Sequence, residues 1–271
     1  MPEGDTLFRI ATGLRRALVG ETVLEARARP GPLLRRVPEL SSLVGLRVGG
    51  VESRGKHLLI TFGDGDRRRT LRTHLRMAGS WHRYRPCEQW RFAEQRATVV
   101  LRTDHAVAVC FDCSTAELLT DAGLARSKAL TALGPDLLGP AFDSEVAVAN
   151  LRERRKVVIG EALLDQRTLA GIGNVVRNEV LFMERVNPWS RVEGLSGIEL
   201  ERLVTAAQRV LRSAARDGDR TTTGDRRRGA RLWVYGRAGR PCRRCGTRIE
   251  VGRQGELARL TYWCPSCQRA R

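Results

Sequence analysis

The sequence predicts an α+β protein: an N-terminal helix joined to an antiparallel β-sandwich, followed by a helical domain that ends in a metal-bound β-hairpin. Three observations predict it. Between about Thr22 and Leu119, short strand-like stretches follow one another with no helical pattern between them. Beyond a Gly/Pro-bearing stretch the apolar spacing becomes helical. The C-terminus then carries two Cys-x2-Cys pairs around a segment of hairpin length.

Taken in order, the first element is a helix, because Leu7, Ile10, Ala11, Leu14 and Leu18 follow helical spacing. Asp5 or Thr6 is expected to cap its start, and Gly20 suits its exit. The strands are expected in GLRVGGVESRGKHLLITFG, RRTLRTHLRMAGSWHRY, RATVVLRT and HAVAVCFD, broken by GDGD, RPCEQ and TDH. ALGPDLLGPAFD, from Ala132 to Asp143, reads as a linker. Past it, GEALLDQRTLAGIGNVVRNEVLFMERVNP reads as two short helices joined by the turn AGIGN. Ser196-Gly-Ile-Glu199 forms a capping box ahead of a longer helix. Leu200, Leu203, Val204, Ala207, Leu211 and Ala214 give that helix one apolar stripe. The expected divisions are residues 2–124, a linker 125–143, a helical part 144–234 and a metal-binding part 235–271.

Charge narrows the partner. The 48 Lys+Arg against 30 Asp+Glu give a net charge of +18, which attracts polyanions and points to nucleic acid. An arginine-rich composition without a specific ligand is the alternative, since only Lys56, Lys128 and Lys156 are lysines. No apolar run approaches the ~18 residues of a membrane helix. MPEGDTLFR lacks the basic start and apolar core of a secretory signal, so a cytoplasmic protein is expected.

Four residue sets carry chemistry. Cys242, Cys245, Cys264 and Cys267 are spaced to supply four thiolates from two tight turns, which satisfies one tetrahedral structural Zn²⁺ with no open position. TRIEVGRQ and LARLTYWC then form the hairpin arms, with Arg259 on the second. Cys110 and Cys113 share the spacing but close a strand, where residues three apart face opposite ways; core or half-buried thiols, rather than a second metal site, are the expectation there. In LAGIGNVV, a helix start near Asn174 offers backbone N–H groups and a side-chain amide to a phosphate, although such a turn also serves plain helix packing. Pro2, once Met1 is removed, presents a secondary amine, a nucleophile toward a sugar C1′ when unprotonated, and Glu3 beside it can move protons. Acidic residues before a helix also simply favour its dipole. Lys56, in a chain that otherwise prefers Arg, retains an ammonium able to exchange a proton.

PEGDT, SRGKHLLI, THLRMAGSW, LLDQRTLAGIGN and YGRAGRPCRRCGTRI…ARLTYWCPSCQ, in this order, resemble the formamidopyrimidine-DNA glycosylase/endonuclease VIII family of base-excision repair enzymes nearly end to end. PEGDT and GKHLL look more like the endonuclease VIII branch than like the oxidised-purine branch. The resemblance implies a bacterial, nucleoid-associated, monomeric DNA glycosylase and AP lyase acting on damaged double-stranded DNA, which lies in a cleft between the halves. Residues 2–124 become a catalytic domain, 144–234 a helix–two-turn–helix DNA-binding domain and 235–271 a zinc finger. Pro2 is implied as the attacking amine, Glu3 as proton donor and Lys56 as its helper. Arg259 is implied as the phosphate clamp for δ-elimination and Asn174 as a phosphate contact. Met77 is the implied wedge into the emptied stack, with Arg76 beside it facing DNA; an ordinary half-buried strand residue is the other reading of Met77. Two positions depart from the pattern: Asp5 stands where relatives commonly have Glu, and CFDCSTAEL holds no arginine and no aromatic but Phe111. Removal of oxidised pyrimidines with β,δ-elimination is the expected function. Its rivals are an oxidised-purine or mainly abasic-site enzyme, and a non-catalytic DNA-binding zinc protein.

Overall fold

The computed structural model describes residues 2–34, 36–63 and 65–270, so Met1 and Asp64, the latter in the expected GDGD turn, lie outside them. The chain divides into two compact units, Met1–Ala132 and Leu133–Arg271.

The first unit opens with α1, Gly4–Leu18, whose Leu7, Ala11, Leu14 and Leu18 form one buried stripe. Its start differs from expectation. Glu3 is the cap residue, in extended conformation, and its carbonyl accepts the amides of Thr6 and Leu7. The helix therefore begins two or three residues earlier than a Thr6 or Leu7 start after an Asp5 or Thr6 cap, and Asp5 falls in the first turn, buried. Gly20 makes the exit with φ 89°, a left-handed conformation that favours glycine.

Among the described residues the strands form two four-stranded antiparallel sheets. One holds β1 (Glu25–Ala28), β6 (Ala97–Arg102), β7 (Val107–Phe111) and β5 (Ser80–Tyr84), in that spatial order. The other holds β2 (Val48–Arg54), β3 (His57–Phe62), β4 (Arg69–His74) and β8 (Thr115–Leu119). Alternation places Leu58, Ile60, Phe62 and Leu71 in a shared core with Val99, Leu101, Ala108 and Cys110 of the other sheet. His57, Leu59 and Thr61 consequently lie on the opposite face of their strand. The segment after β5 returns Trp90 and Phe92 onto Tyr84, Val109 and Phe111, so β7 is buried on both faces. Phe111, the one aromatic of CFDCSTAEL, belongs to this cluster and is fully buried.

Cys110 and Cys113 are both fully buried thiols, but they share one core rather than facing opposite ways. β7 ends at Phe111, and Asp112 turns with φ 49°, which swings Cys113 inward. The period-2 argument holds only while the strand lasts.

The expected linker, residues 125–143, is structured in part. α2 (Asp121–Ala125) and α3 (Lys128–Thr131) follow β8, and Leu130 is buried. Leu137 lies in the core of the second unit, where Asp136 bridges to Ala170.

In the second unit Asp143 caps α4 (Ser144–Glu153), its carboxylate accepting the amides of Glu145 and Val146. The single turn α5 (Ile159–Ala162) leads through a long connection to α6 (Asn174–Met183). α7 (Gly197–Asp217) carries the capping box of Ser196 and Glu199, and its six-residue apolar stripe is buried. β9 (Glu250–Gln254) and β10 (Arg259–Trp263) form the C-terminal hairpin. Among the described residues no helix is long and apolar enough to cross a membrane.

Candidate functional site

In the first unit the predicted residues stand at ends and turns. Pro2 is partly exposed, while Glu3 is fully buried and Asp5 nearly so. Lys56 occupies the second position of the two-residue turn joining β2 to β3, closed by the Arg54–His57 pair. Gly55 takes the first position with φ 58°, the glycine-first arrangement that matches strand twist. Arg76 and Met77 lie in the tight turn after β4. Arg76 has φ 48°, and a Cβ on Gly79 would come within 2.7 Å of the Leu75 carbonyl oxygen, so that turn requires glycine there. Met77 is 60% exposed, which removes the half-buried strand reading.

The sheet register adds residues that spacing alone did not reveal. His57 of β3 pairs with His74 of β4, their rings 5.0 Å apart. Arg72, two residues earlier on the same face, is almost completely buried and bridges outward and inward. Its guanidinium pairs with Glu117 at 2.7 Å and also lies 3.1 Å from His57 Nδ1. The backbone amide of Arg76 donates to His74 Nδ1 at 3.2 Å. Burial pushes His57 down to about 3, helped by His74, Arg72 and Lys56. Burial likewise takes His74 down to about 4, with Lys56, Arg76 and Arg72 adding to it. Both imidazoles are therefore neutral near pH 7, beside the Lys56 ammonium.

The second unit holds its groups in a buried polar network. Asn174, Arg177 and Asn178 occupy one face of α6, spaced three and four residues apart, and all three reach β10 or its neighbour. Asn174 Nδ2 donates to the Leu260 carbonyl at 2.9 Å, so part of the expected phosphate donor is engaged within the protein. Asn178 Oδ1 accepts the Tyr262 amide at 2.6 Å. Arg177, fully buried, donates to the Leu260 carbonyl, Thr261 Oγ1, Gln254 Oε1 and the Gly160 carbonyl. Gly160 is required by that approach: a Cβ there would lie 2.3 Å from Gln254 Oε1. This network fixes Asn174 and the strand that begins at Arg259 to each other. Among the described residues the Arg259 guanidinium has no ion pair or hydrogen bond, in contrast to many arginines of the chain.

Glu179 is a second addition. Fully buried on α6, its carboxylate accepts the backbone amides of Trp233, Val234 and Tyr235 and the Thr222 hydroxyl. It thereby ties down both ends of the basic segment that contains Arg226, Arg227 and Arg228.

The four cysteines converge. Their sulfurs lie within 4.8 Å of one another. Cys242–Cys267, Cys245–Cys264 and Cys267–Cys245 are separated by 4.0, 3.4 and 3.5 Å. A tetrahedron with metal–sulfur bonds of about 2.3 Å has edges of about 3.8 Å, so this spacing suits a thiolate-bound metal ion. Cys242 and Cys264 sit against Phe182, Val234 and Ile249, which joins the cluster to the helical core.

Residues 1–116 match the formamidopyrimidine-DNA glycosylase N-terminal domain, and residues 133–225 match the formamidopyrimidine-DNA glycosylase H2TH domain. The chain is 42% identical over 272 residues to the DNA-(apurinic or apyrimidinic site) lyase Nei2 of Mycolicibacterium smegmatis, covering 100% of both. It is also 42% identical to the probable endonuclease 8 2 of Streptomyces coelicolor, covering 99% of this chain and 94% of that one. Formamidopyrimidine-DNA glycosylase of Heliobacterium modesticaldum is 34% identical, with 99% of each chain covered. Among solved structures, a Lactococcus lactis Fpg in complex with DNA containing an abasic site superposes with a TM-score of 0.82 at 24% identity, over 99% of this chain and 100% of that one, a likeness of fold. With both domains matched and full-length relatives above 40% identity, this chain belongs to the formamidopyrimidine-DNA glycosylase/endonuclease 8 family of DNA glycosylases and AP lyases.

Proposed function

We propose that this protein is a bifunctional DNA glycosylase/AP lyase that excises oxidised pyrimidines through an imine on Pro2 and then cleaves the strand by β,δ-elimination. The observation that carries the reading is the N-terminus, where Pro2 precedes the fully buried Glu3 at the cap of α1.

After loss of Met1, the Pro2 nitrogen attacks C1′ of the damaged nucleotide. The C1′–base bond breaks, and the base leaves with a proton that Glu3 delivers, assisted by Lys56. The sugar ring then opens, the C1′–O4′ bond breaking as O4′ takes up a proton, and the iminium so formed acidifies the C2′ proton; its removal expels the 3′ phosphate. A second elimination expels the 5′ phosphate and frees the sugar. Arg259, whose guanidinium has no hydrogen bond or ion pair among the described residues, neutralises charge on a departing phosphate. Asn174 and the backbone at the start of α6 hold another phosphate. Flipping the damaged base costs a few kcal/mol, and the exposed Met77 fills the gap while Arg76 contacts the strand. Zn²⁺ is the metal that best suits four thiolates; the Cys242, Cys245, Cys264 and Cys267 set leaves no position for a water, so the ion holds the hairpin in shape.

One observation favours a second reading within the family. The Mycolicibacterium smegmatis relative is named for its lyase activity at abasic sites, which suits an enzyme acting mainly on sugars already stripped of a base. Single-turnover cleavage of duplexes that carry one defined lesion each decides between them. The proposal expects base release from oxidised pyrimidines, fastest among the damaged bases. Cleavage of the abasic duplex with no base release from any lesion would support the lyase reading instead.

A further inference from the structure

At one end of the second sheet of the first unit, the His57 and His74 rings lie 5.0 Å apart, and Lys56, on the turn next to His57, is near enough to act electrostatically on both. The protonation of the rings follows from their partners. A guanidinium can only donate, so the 3.1 Å approach of Arg72 makes His57 Nδ1 an acceptor. A backbone N–H can only donate, so His74 Nδ1 accepts from Arg76. A neutral imidazole carries one proton, which in both rings must then sit on Nε2. Among the described residues neither Nε2 has a hydrogen-bond partner. Arg72 is held in turn by Glu117, through Nη2 at 2.7 Å and Nε at 3.1 Å, so the nearby carboxylate is already engaged. The charged groups around the two rings are Lys56, Arg72, Arg76 and Glu117.

We propose that His57 is a DNA-binding residue, a neutral N–H donor set by the Glu117–Arg72–His57 chain to share with Lys56 one phosphate oxygen of the DNA strand. This rests on the reading of the protein as a DNA enzyme and deepens it. A site built from an ammonium and fixed neutral donors binds a phosphodiester without adding charge repulsion to Lys56. The arrangement also gives Arg72 and Glu117 a purpose as positioning residues, since they touch no substrate atom but decide which ring nitrogen carries the proton.

The test uses the full-length protein and a duplex containing a tetrahydrofuran abasic analogue. Long-range ¹H–¹⁵N spectra of the histidines at pH 7 should show His57 protonated on Nε2, and that resonance should shift on adding the duplex. Inorganic phosphate at the same phosphate concentration should shift it far less, which separates a strand-bound phosphate from a free one. His57→Phe should weaken duplex binding by about 10- to 100-fold, the scale of a hydrogen bond to a charged group. His57→Gln, which keeps an acceptor and a donor, should recover most of that loss. Because the donor is neutral, the salt dependence of His57→Phe should keep the wild-type slope, whereas loss of a cation lowers it by about 0.9. Binding by His57→Phe within twofold of wild type, a proton on Nδ1, or a slope reduced by about one would each overturn the proposal. If His57→Phe misfolds, the spectra and His57→Gln decide alone: no duplex-induced shift, or binding by His57→Gln weakened tenfold, overturns it. If the wild-type protein trapped on abasic DNA yet showed no Nε2 shift, this inference alone would fall; no binding by wild type would overturn both it and the functional reading.

Discussion

In the first unit the candidate reactive groups stand at a chain end and on tight turns, whereas in the second the binding groups are woven into buried side-chain hydrogen bonds. Pro2 and Glu3 begin a helix, Lys56 tops a two-residue turn, and Arg76 and Met77 ride on a turn that needs Gly79. Asn174, Arg177 and Asn178 instead stitch α6 to the strand bearing Arg259, and Glu179 pins a basic segment to the same helix. The difference teaches where each unit is vulnerable. Turn residues contribute little to folding and can be tuned for chemistry; network residues hold the binding surface in register. Substitutions in the first unit should therefore cost rate at nearly constant stability, and substitutions in the second should cost stability and binding together.

The sharpest contrast is expected at Lys56. If it exchanges a proton with the damaged nucleotide, Lys56→Arg should slow base removal by about 10²–10⁴-fold, since arginine keeps the charge but not the acid–base chemistry. Duplex binding and thermal stability should stay near wild type. Cleavage of a preformed abasic site should suffer less, because Pro2 then meets a reactive aldehyde. Single-turnover kinetics on an oxidised-pyrimidine duplex and on an abasic duplex make the comparison; equal activity of variant and wild type on both would reduce Lys56 to a phosphate contact.

The opposite pattern is expected at Arg177. Arg177→Met fills similar space but removes the buried donors to the Gly160 and Leu260 carbonyls, Gln254 Oε1 and Thr261 Oγ1, leaving Leu260 with Asn174 Nδ2 alone and Gln254 Oε1 with the Thr261 hydroxyl. Unfolding of the second unit should become about 3–5 kcal/mol easier. Hydrogen exchange should locate the loss in α6 and the hairpin, while amides of β3 and β4 keep their protection. Faster exchange spread evenly over both units would break the distinction between them.

Acid should reverse the roles. His57 and His74 are held near 3 and 4 in the folded chain, below the ordinary value of about 6.5. Between those limits the unfolded chain binds more protons, so stability falls as pH drops below about 6.5 and levels off below about 3. Each histidine contributes at most about 1.4 kcal/mol per pH unit in that window. Urea unfolding followed by exchange at β3 and β4 should show the loss on going from pH 7 to pH 5; a flat response there would mean that the imidazoles titrate normally.

Much of this was legible in the residues themselves. The stripes of α1 and α7, the Ser196–Glu199 box, the alternation of β3 and β4 and the two Cys-x2-Cys turns are local patterns, and each lies where its spacing predicts. The rest depends on register or on where an element stops. His57 and His74 are seventeen positions apart, and only the β3–β4 pairing brings their rings together. Cys113 faces inward because β7 ends two residues earlier. Arg177 and Glu179 are charged residues at buried helix positions, which a hydrophobicity pattern alone assigns to the surface; their partners lie on the hairpin and on the segment after α7.

The central claim, that the Pro2 amine forms the covalent intermediate, is tested most directly by borohydride trapping on an abasic duplex. Protein with a free Pro2 should be trapped and its cross-link should map to that residue. Protein acetylated at the N-terminus, with the same fold and the same duplex affinity, should give none, because an amide nitrogen cannot form the imine. Undiminished trapping of the acetylated protein would contradict the account and move the chemistry to another amine.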